Sequence, residues 1–148
     1  MTFSYEYPHP AVTTDIIVFT VRGDKLNILL IKRGASPFKG SWALPGGFIK
    51  MDEDTLECAK RELEEETGLK DVYLEQLYTF SKVDRDPRER VISVTYFTLI
   101  SSEALTLKAD TDADDAEWFD MDTLPDLAFD HHEILDMATK RLGAKMRY

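Results

Sequence analysis

Short β-branched runs alternate along this chain with two stretches of helical spacing. Thr13 to Val21 (TTDIIVFTV) is almost continuously apolar, as a strand buried on both faces requires. Arg22-Gly23-Asp24 supplies a turn, and Leu26 to Ile31 (LNILLI) returns as the hairpin partner. Lys32 to Gly47 holds four glycines and two prolines, which predict a loop, with Trp42 and Leu44 able to pair briefly with a sheet. Phe48 to Lys50 re-enters extended structure.

Asp54-Thr55-Leu56-Glu57 has the spacing of a capping box, Asp standing for Ser or Thr. Leu56, Ala59 and Leu63 follow at helical intervals and Gly68 supplies a stop, so a helix is predicted over Asp54 to Thr67. Val72 to Ser81 and Val91 to Ile100 read as strands around the charged loop Lys82 to Arg90. Leu105 to Lys108 and Ala116 to Phe119 are short strand candidates. Met121 to Leu124 begins one helical turn that Pro125 ends, and Asp130 opens a last helix reaching about Leu142. Strands, helix, strands, helix predict an α+β fold, with helices sandwiching a mixed sheet. No internal repeat and no Gly/Ser linker divides residues 1–148, so a single domain is expected.

Composition adds exclusions. The formal net charge is -10, which repels nucleic-acid phosphates and anionic membrane and disfavours a protein that tracks either. A phosphate-bearing small molecule remains possible if the protein supplies a cation or a local basic pocket. The single cysteine, Cys58, cannot form an intrachain disulfide and reads as a core residue of a reducing compartment. No basic-then-apolar leader opens the chain and no long apolar run occurs, so a cytoplasmic address is expected.

The chemistry concentrates in Gly47 to Leu69, GFIKMDEDTLECAKRELEEETGL. On a helix Glu62, Glu65 and Glu66 stand at i, i+3 and i+4 and share one face. Like charges there repel, and a divalent cation relieves them. Ligation by carboxylates alone selects hard ions, Mg²⁺ or Mn²⁺, over zinc. Such ions bridge phosphate oxygens and activate water. Arg61 cannot ligate a cation; it can pair with Glu57 and with Glu53 and orient the glutamates. Gly46-Gly47 lets backbone approach a metal with no Cβ in the way, so a loop carbonyl can join the shell.

The same stretch resembles the Nudix box, G-x5-E-x7-R-E-U-x-E-E-x-G-U with U apolar. It runs here through Gly47, Glu53, Arg61-Glu62-Leu63, Glu65-Glu66 and Gly68-Leu69, matching at every specified position. A chance match at any one window is on the order of 10⁻⁹. Similarity continues in IKRG (Ile31 to Gly34), Pro37 to Gly47, DRDPRERVISVTYF (Asp84 to Phe97) and LAFDHHEIL (Leu127 to Leu135). These look like the ADP-ribose pyrophosphatase branch, and the last two also resemble the Nudix domain of NrtR-type NAD-metabolism regulators.

The resemblance implies an α/β/α sandwich and a Mg²⁺-dependent pyrophosphohydrolase acting on a nucleoside diphosphate linked to a second group. With ADP-ribose the products would be AMP and ribose 5-phosphate. It implies Glu62, Glu65 and Glu66 as metal ligands, Glu62 doubling as a base or base-orienter, and the Gly46 carbonyl as a further ligand. Glu53 would support the loop or a more distant metal. A carboxylate from outside the box is also implied; Asp112, Asp114, Asp115 and Glu117 are the candidates, with Glu117 favoured for its place in a strand. Arg33, Lys39, Arg85, Arg88 and Arg90 are candidate phosphate contacts, and Phe38, Trp42, Tyr78 and Phe80 candidate base-stacking rings. His131 and His132 point about 100° apart on a helix and are read as structural. Homodimers are common among relatives of this kind, so a dimer is expected. Two alternatives stand beside the enzyme: a non-catalytic sensor domain of an NrtR-like regulator, and a house-cleaning hydrolase of damaged nucleoside triphosphates.

Overall fold

The computed structural model describes residues 2–101 and 115–145. Strand β1 (Ala11–Arg22) runs through the middle of one mixed sheet. It pairs antiparallel with β2 (Lys25–Lys32) across the Gly23-Asp24 turn, and parallel with β6 (Val91–Ile100) over ten residues from Ala11–Val91 to Thr20–Ile100. Strand β5 (Glu75–Phe80) extends the sheet antiparallel to β6, while β3 (Trp42–Ala43) and β7 (Ala116–Asp120) both pair with β2. Strand β4 (Gly46–Phe48) pairs with the start of β1.

Two helices cover opposite faces. Helix α1 (Thr55–Thr67) packs Ala59 and Leu63 against Ile16, Val18, Leu29 and Tyr96. Helix α2 (His131–Lys145) packs Ile134, Leu135, Ala138 and Leu142 against Ile17, Phe19, Ile28 and Leu30. Alternate residues of β1 therefore feed alternate cores, which is why TTDIIVFTV shows no polar face. This is the α/β/α sandwich with a mixed sheet that the sequence predicts.

Most boundaries follow expectation. Asp54 caps α1, accepting from the Glu57 amide while Glu57 reaches back to the Asp54 amide, and Gly68 ends the helix at φ 81°. Several details differ, among them the last helix, expected to reach about Leu142, which runs on to Lys145. The strand expected from Val72 starts only at Glu75, because Asp71 turns the chain at φ 59° and Val72 and Leu74 pack on the α1 layer outside the ladder. The extended segment expected at Phe48 to Lys50 begins two residues earlier, since Gly46 and Gly47 pair with Asp15 and Thr14. Leu56 stands on the exposed side of α1. The strand expected at Leu105 to Lys108 lies outside the described residues. Among the described residues no helix is long and apolar enough to cross a membrane.

Candidate active site

Helix α1 carries Arg61, Glu62, Glu65 and Glu66 toward the Gly46-Gly47 strand. Arg61 grips Glu53 with two bonds, Nε to Oε2 at 2.9 Å and Nη2 to Oε1 at 2.6 Å. The same guanidinium donates to Glu62 Oε1 at 2.8 Å, to Glu65 Oε2 at 3.3 Å and to the Phe48 carbonyl at 3.3 Å. The hydrogen bonds from Arg61 hold the Glu53 carboxyl down at about 2. Arg61 thus ties the loop before the helix to the acidic face, and its partner is Glu53; Glu57 is occupied in the cap instead.

Glu66 lies deeper. Its Oε2 accepts from the Gly46 amide at 3.2 Å, and its pKa is pushed up to about 9 by burial, then by the neighbouring Glu62 charge. Gly47 faces Glu62 so closely that a Cβ there would sit 2.5 Å from the carboxylate. At Gly46 a Cβ would meet the Thr14 carbonyl at 2.1 Å. Gly46 is therefore required by its approach to β1 backbone, while Gly47 leaves the room that the Glu62 carboxylate occupies. Glu65 turns outward, its side chain 57% exposed.

Among the described residues no three His, Cys, Asp or Glu side chains are gathered into a ready-made metal nest. The chemistry of the pair nevertheless fits a hard cation. Glu62 and Glu66 converge on the two glycines of β4, and burial beside the Glu62 charge raises the pKa of Glu66. A divalent ion would replace the Glu66 proton and draw both carboxylates together.

A cavity of about 210 Å³ opens beside Glu66 and Gly46. Arg33, Arg88 and Phe129 also line it. Below it lies a buried polar network. Asp15 accepts from Ser93 and faces His131 Nε2 at 3.4 Å, while His131 Nδ1 accepts from the Leu44 amide at 3.0 Å. Burial pushes the Asp15 carboxyl up, but His131, Ser93 and Arg85 together outweigh it and hold it below the usual range. Arg85 forks onto Asp130 at 2.9 and 2.7 Å, and Arg88 onto Asp86 at 3.1 and 2.8 Å.

The candidate substrate contacts divide on this geometry. Arg33 and Arg88 reach the cavity, with guanidiniums over the Phe129 ring at 4.9 and 5.4 Å. Arg85 lines it too, but its side chain is 3% exposed and committed to Asp130. Lys39 is exposed and away from the cavity. Arg90 donates to the Lys82 carbonyl, also outside it. Trp42 is packed edge-on against Phe119 in the α2 layer, which removes it from the lining. Tyr78 and Phe80 pair on β5, and Phe38 stands edge-on to Phe129.

Of the extra carboxylates, Asp112 and Asp114 lie outside the described residues. Glu117 is exposed on β7 between Ala116 and Trp118, which pack toward α1, so strand alternation sends it to the other face. Asp115 instead shares a second cavity with Glu66. Sequence reasoning missed Asp15, Phe48 and Phe129 as lining residues. An aspartate inside a β-branched run was the one available signal, because a buried acid needs partners. Cys58 is buried beside Thr14, and burial raises its thiol pKa, as suits a core residue.

An α/β/α sandwich around a mixed sheet, with glutamates of one helix set against a Gly-Gly segment, is the arrangement of the Nudix fold. The chain belongs to the Nudix family: the NUDIX domain profile matches residues 9–138. It is 48% identical over 131 residues to an ADP-ribose pyrophosphatase of Methanocaldococcus jannaschii, covering 87% of this chain and 73% of that protein. It is 41% identical over 147 residues to the ADPR responsive transcriptional repressor NtrR of Acinetobacter baylyi, covering 97% of this chain but spanning only 58% of the repressor. Among solved structures, the NUDIX domain of Shewanella oneidensis NrtR complexed with ADP ribose superposes with a TM-score of 0.84 at 33% identity, covering 92% of this chain and 90% of that one.

Proposed function

We propose that this Nudix protein hydrolyses ADP-ribose to AMP and ribose 5-phosphate with Mg²⁺, Mn²⁺ being able to substitute. The observation that carries the reading is one cavity with two chemistries: Glu66, with Glu62 beside it on α1, and the guanidiniums of Arg33 and Arg88. A diphosphate fits between them. The 48% identity to an ADP-ribose pyrophosphatase supports the same substrate.

Glu62 and Glu66 would hold the metal, with the Gly46 carbonyl beside them and Glu65 able to swing in. Bound Mg²⁺ supplies charge neutralisation and a water of lowered pKa. The protein's own groups do the rest. Among the described residues the Arg33 guanidinium donates to the carbonyls of Pro37 and Ala35, at 2.8 and 3.4 Å, and makes no ion pair, which leaves its charge for phosphate oxygens. Arg61 keeps Glu62 aimed at Gly47. A carboxylate of the helix takes a proton from the attacking water. Water adds to one phosphorus, the bridging P–O bond breaks, and the other phosphate leaves. A homodimer and a cytoplasmic address go with this reading, and Cys58 as a buried free thiol suits a reducing compartment.

The test is Glu66→Gln assayed against ADP-ribose, ADP-glucose, NADH, diadenosine polyphosphates and dNTPs with Mg²⁺. ADP-ribose should be turned over fastest by the wild type, and the variant should stay folded and lose roughly 10²–10⁴-fold in kcat. Wild-type turnover in the variant at saturating Mg²⁺ would dispose of the assignment. The similarity to NtrR over 147 residues supports a second reading, an effector-binding domain. Tight ADP-ribose binding without turnover selects it.

A further inference from the structure

The chain crosses from β3 to β4 through Leu44 and Pro45, and there it leaves the ladder of the sheet. On one side the Trp42 carbonyl accepts from the Ala128 amide at 2.9 Å. On the other the Pro45 carbonyl accepts from the Ile16 amide at 2.8 Å, and the Gly46 amide donates to Glu66. Between them the Leu44 amide meets a side chain, Nδ1 of the buried His131, at 3.0 Å. Proline at 45 brings no amide, so the Leu44 and Gly46 amides are the two donors that this crossing can use.

His131 opens α2 and is itself fixed. Asp130, just before it, is forked by Arg85. Because Nδ1 accepts, the ring carries its proton on Nε2, and Nε2 faces Asp15 Oδ1 at 3.4 Å. Asp15 is held in turn by the Ser93 hydroxyl. The same Asp15 oxygen stands 3.0 Å from where a Cβ at Gly46 would be. The ring thus braces one short segment twice, directly at Leu44 and through Asp15 beside Gly46. His132 is exposed, so one of the two adjacent histidines enters this network and the other does not.

Resting on the reading that Glu62 and Glu66 hold the metal beside the Gly46 carbonyl, we propose that His131 is a positioning residue for the reaction. Kept in its Nε2-protonated form by Asp15, it fixes the Leu44 amide and so sets where Gly46 stands against Glu66. A backbone carbonyl has no rotamers with which to reach a cation. Its place is decided by the hydrogen bonds on either side of it.

Two substitutions separate the two ring nitrogens. In His131→Asn the amide oxygen falls near the place of Nδ1 and can still accept from Leu44. In His131→Gln the amide nitrogen falls near the place of Nε2; it can donate to Asp15 but leaves Leu44 without its acceptor. In the metal-free protein, hydrogen exchange at the Leu44 and Gly46 amides should quicken about tenfold in His131→Gln, and His131→Asn should recover most of that protection. Mg²⁺ titrated calorimetrically without substrate should bind about tenfold more weakly to His131→Gln, again largely recovered by Asn. The kcat for ADP-ribose should fall with the metal affinity while KM holds, since Arg33 and Arg88 are untouched. A residue that only fills the core or only partners Asp15 would give equal losses or the reverse order, and either result overturns the proposal. So does undiminished Mg²⁺ binding in His131→Gln. Should both variants unfold, the ring ¹⁵N shifts of wild-type His131 decide: a bare Nδ1 is expected, and a proton on Nδ1 overturns the proposal. A wild type that binds no Mg²⁺ sinks the metal reading, while the exchange pattern still decides whether His131 sets Gly46.

Discussion

Gly47 and Glu62 set the finest tolerance in this site. A Cβ at residue 47 would meet the far end of the Glu62 side chain first, at 2.5 Å. Glu62 can swing aside, so the fold survives, but its carboxylate leaves the place where Arg61 aims it. Gly47→Ala should therefore melt within a few degrees of wild type while kcat falls roughly 10²-fold, as misplacement of a reacting group by about 1 Å costs. Thermal melting and steady-state kinetics on one sample check this; full activity would mean that Glu62 is not an essential ligand. Gly46→Ala differs, since its Cβ would collide with the Thr14 carbonyl of β1 at 2.1 Å. At this scale the sequence was legible where function demands residue type at fixed spacing. Glu62, Glu66, Arg61 and Glu53 were found because all their partners lie within one loop-helix unit. Phe129 and Asp15 were not, because their roles depend on Arg88, Arg33 and His131, which lie 41 to 116 residues away from one or the other.

Among the elements, the loop at Lys82 to Arg90 reaches the cavity only because it is anchored from beneath. Arg85 is buried, forks onto Asp130 at the start of α2, and stands 3.9 Å from Asp15 on β1. One guanidinium thus fixes a loop, a helix and a strand together. Arg85→Ala leaves Asp130 without its partner in a buried setting, which costs about 3–5 kcal/mol. Urea unfolding should show that loss, and the mobile loop should also raise KM through Arg88. A loss under 1 kcal/mol would mean that water satisfies Asp130 and that the fork anchors nothing. The charged run KVDRDPRER read as a solvated loop with candidate phosphate contacts, and its sequence does not say which arginine turns inward. That choice is made by Asp130, 45 residues on. Helix α1 was legible to within a residue because capping is local. The short strands β3 and β4 were blurred, because two or three residues become a strand only when a neighbour such as β1 or β2 offers its edge.

The whole molecule carries ten more negative than positive charges, and two of its carboxylates are forced together in a partly buried site. Folding without a cation therefore keeps a proton on Glu66 beside the Glu62 charge, a proton that a bound ion would displace. Any ion that binds the folded site and not the unfolded chain adds RT ln(1 + [L]/Kd), about 2.7 kcal/mol at a hundred times Kd. For a chain of this size that is a rise of roughly 5–10 °C in Tm. Mg²⁺ also screens the general excess of negative charge, and screening must be separated from binding. NaCl at matched ionic strength reproduces screening but cannot bridge two carboxylates. Mg²⁺ should therefore raise Tm well beyond the NaCl control in wild type, and Glu66→Gln should lose most of that excess, because an amide is a poor ligand for a hard ion. Equal shifts from Mg²⁺ and matched NaCl would show that the acidic helix holds no ion. A cation would then have to arrive with the diphosphate, Arg33 holding phosphate oxygens and Glu66 available to the ion only once substrate is in place.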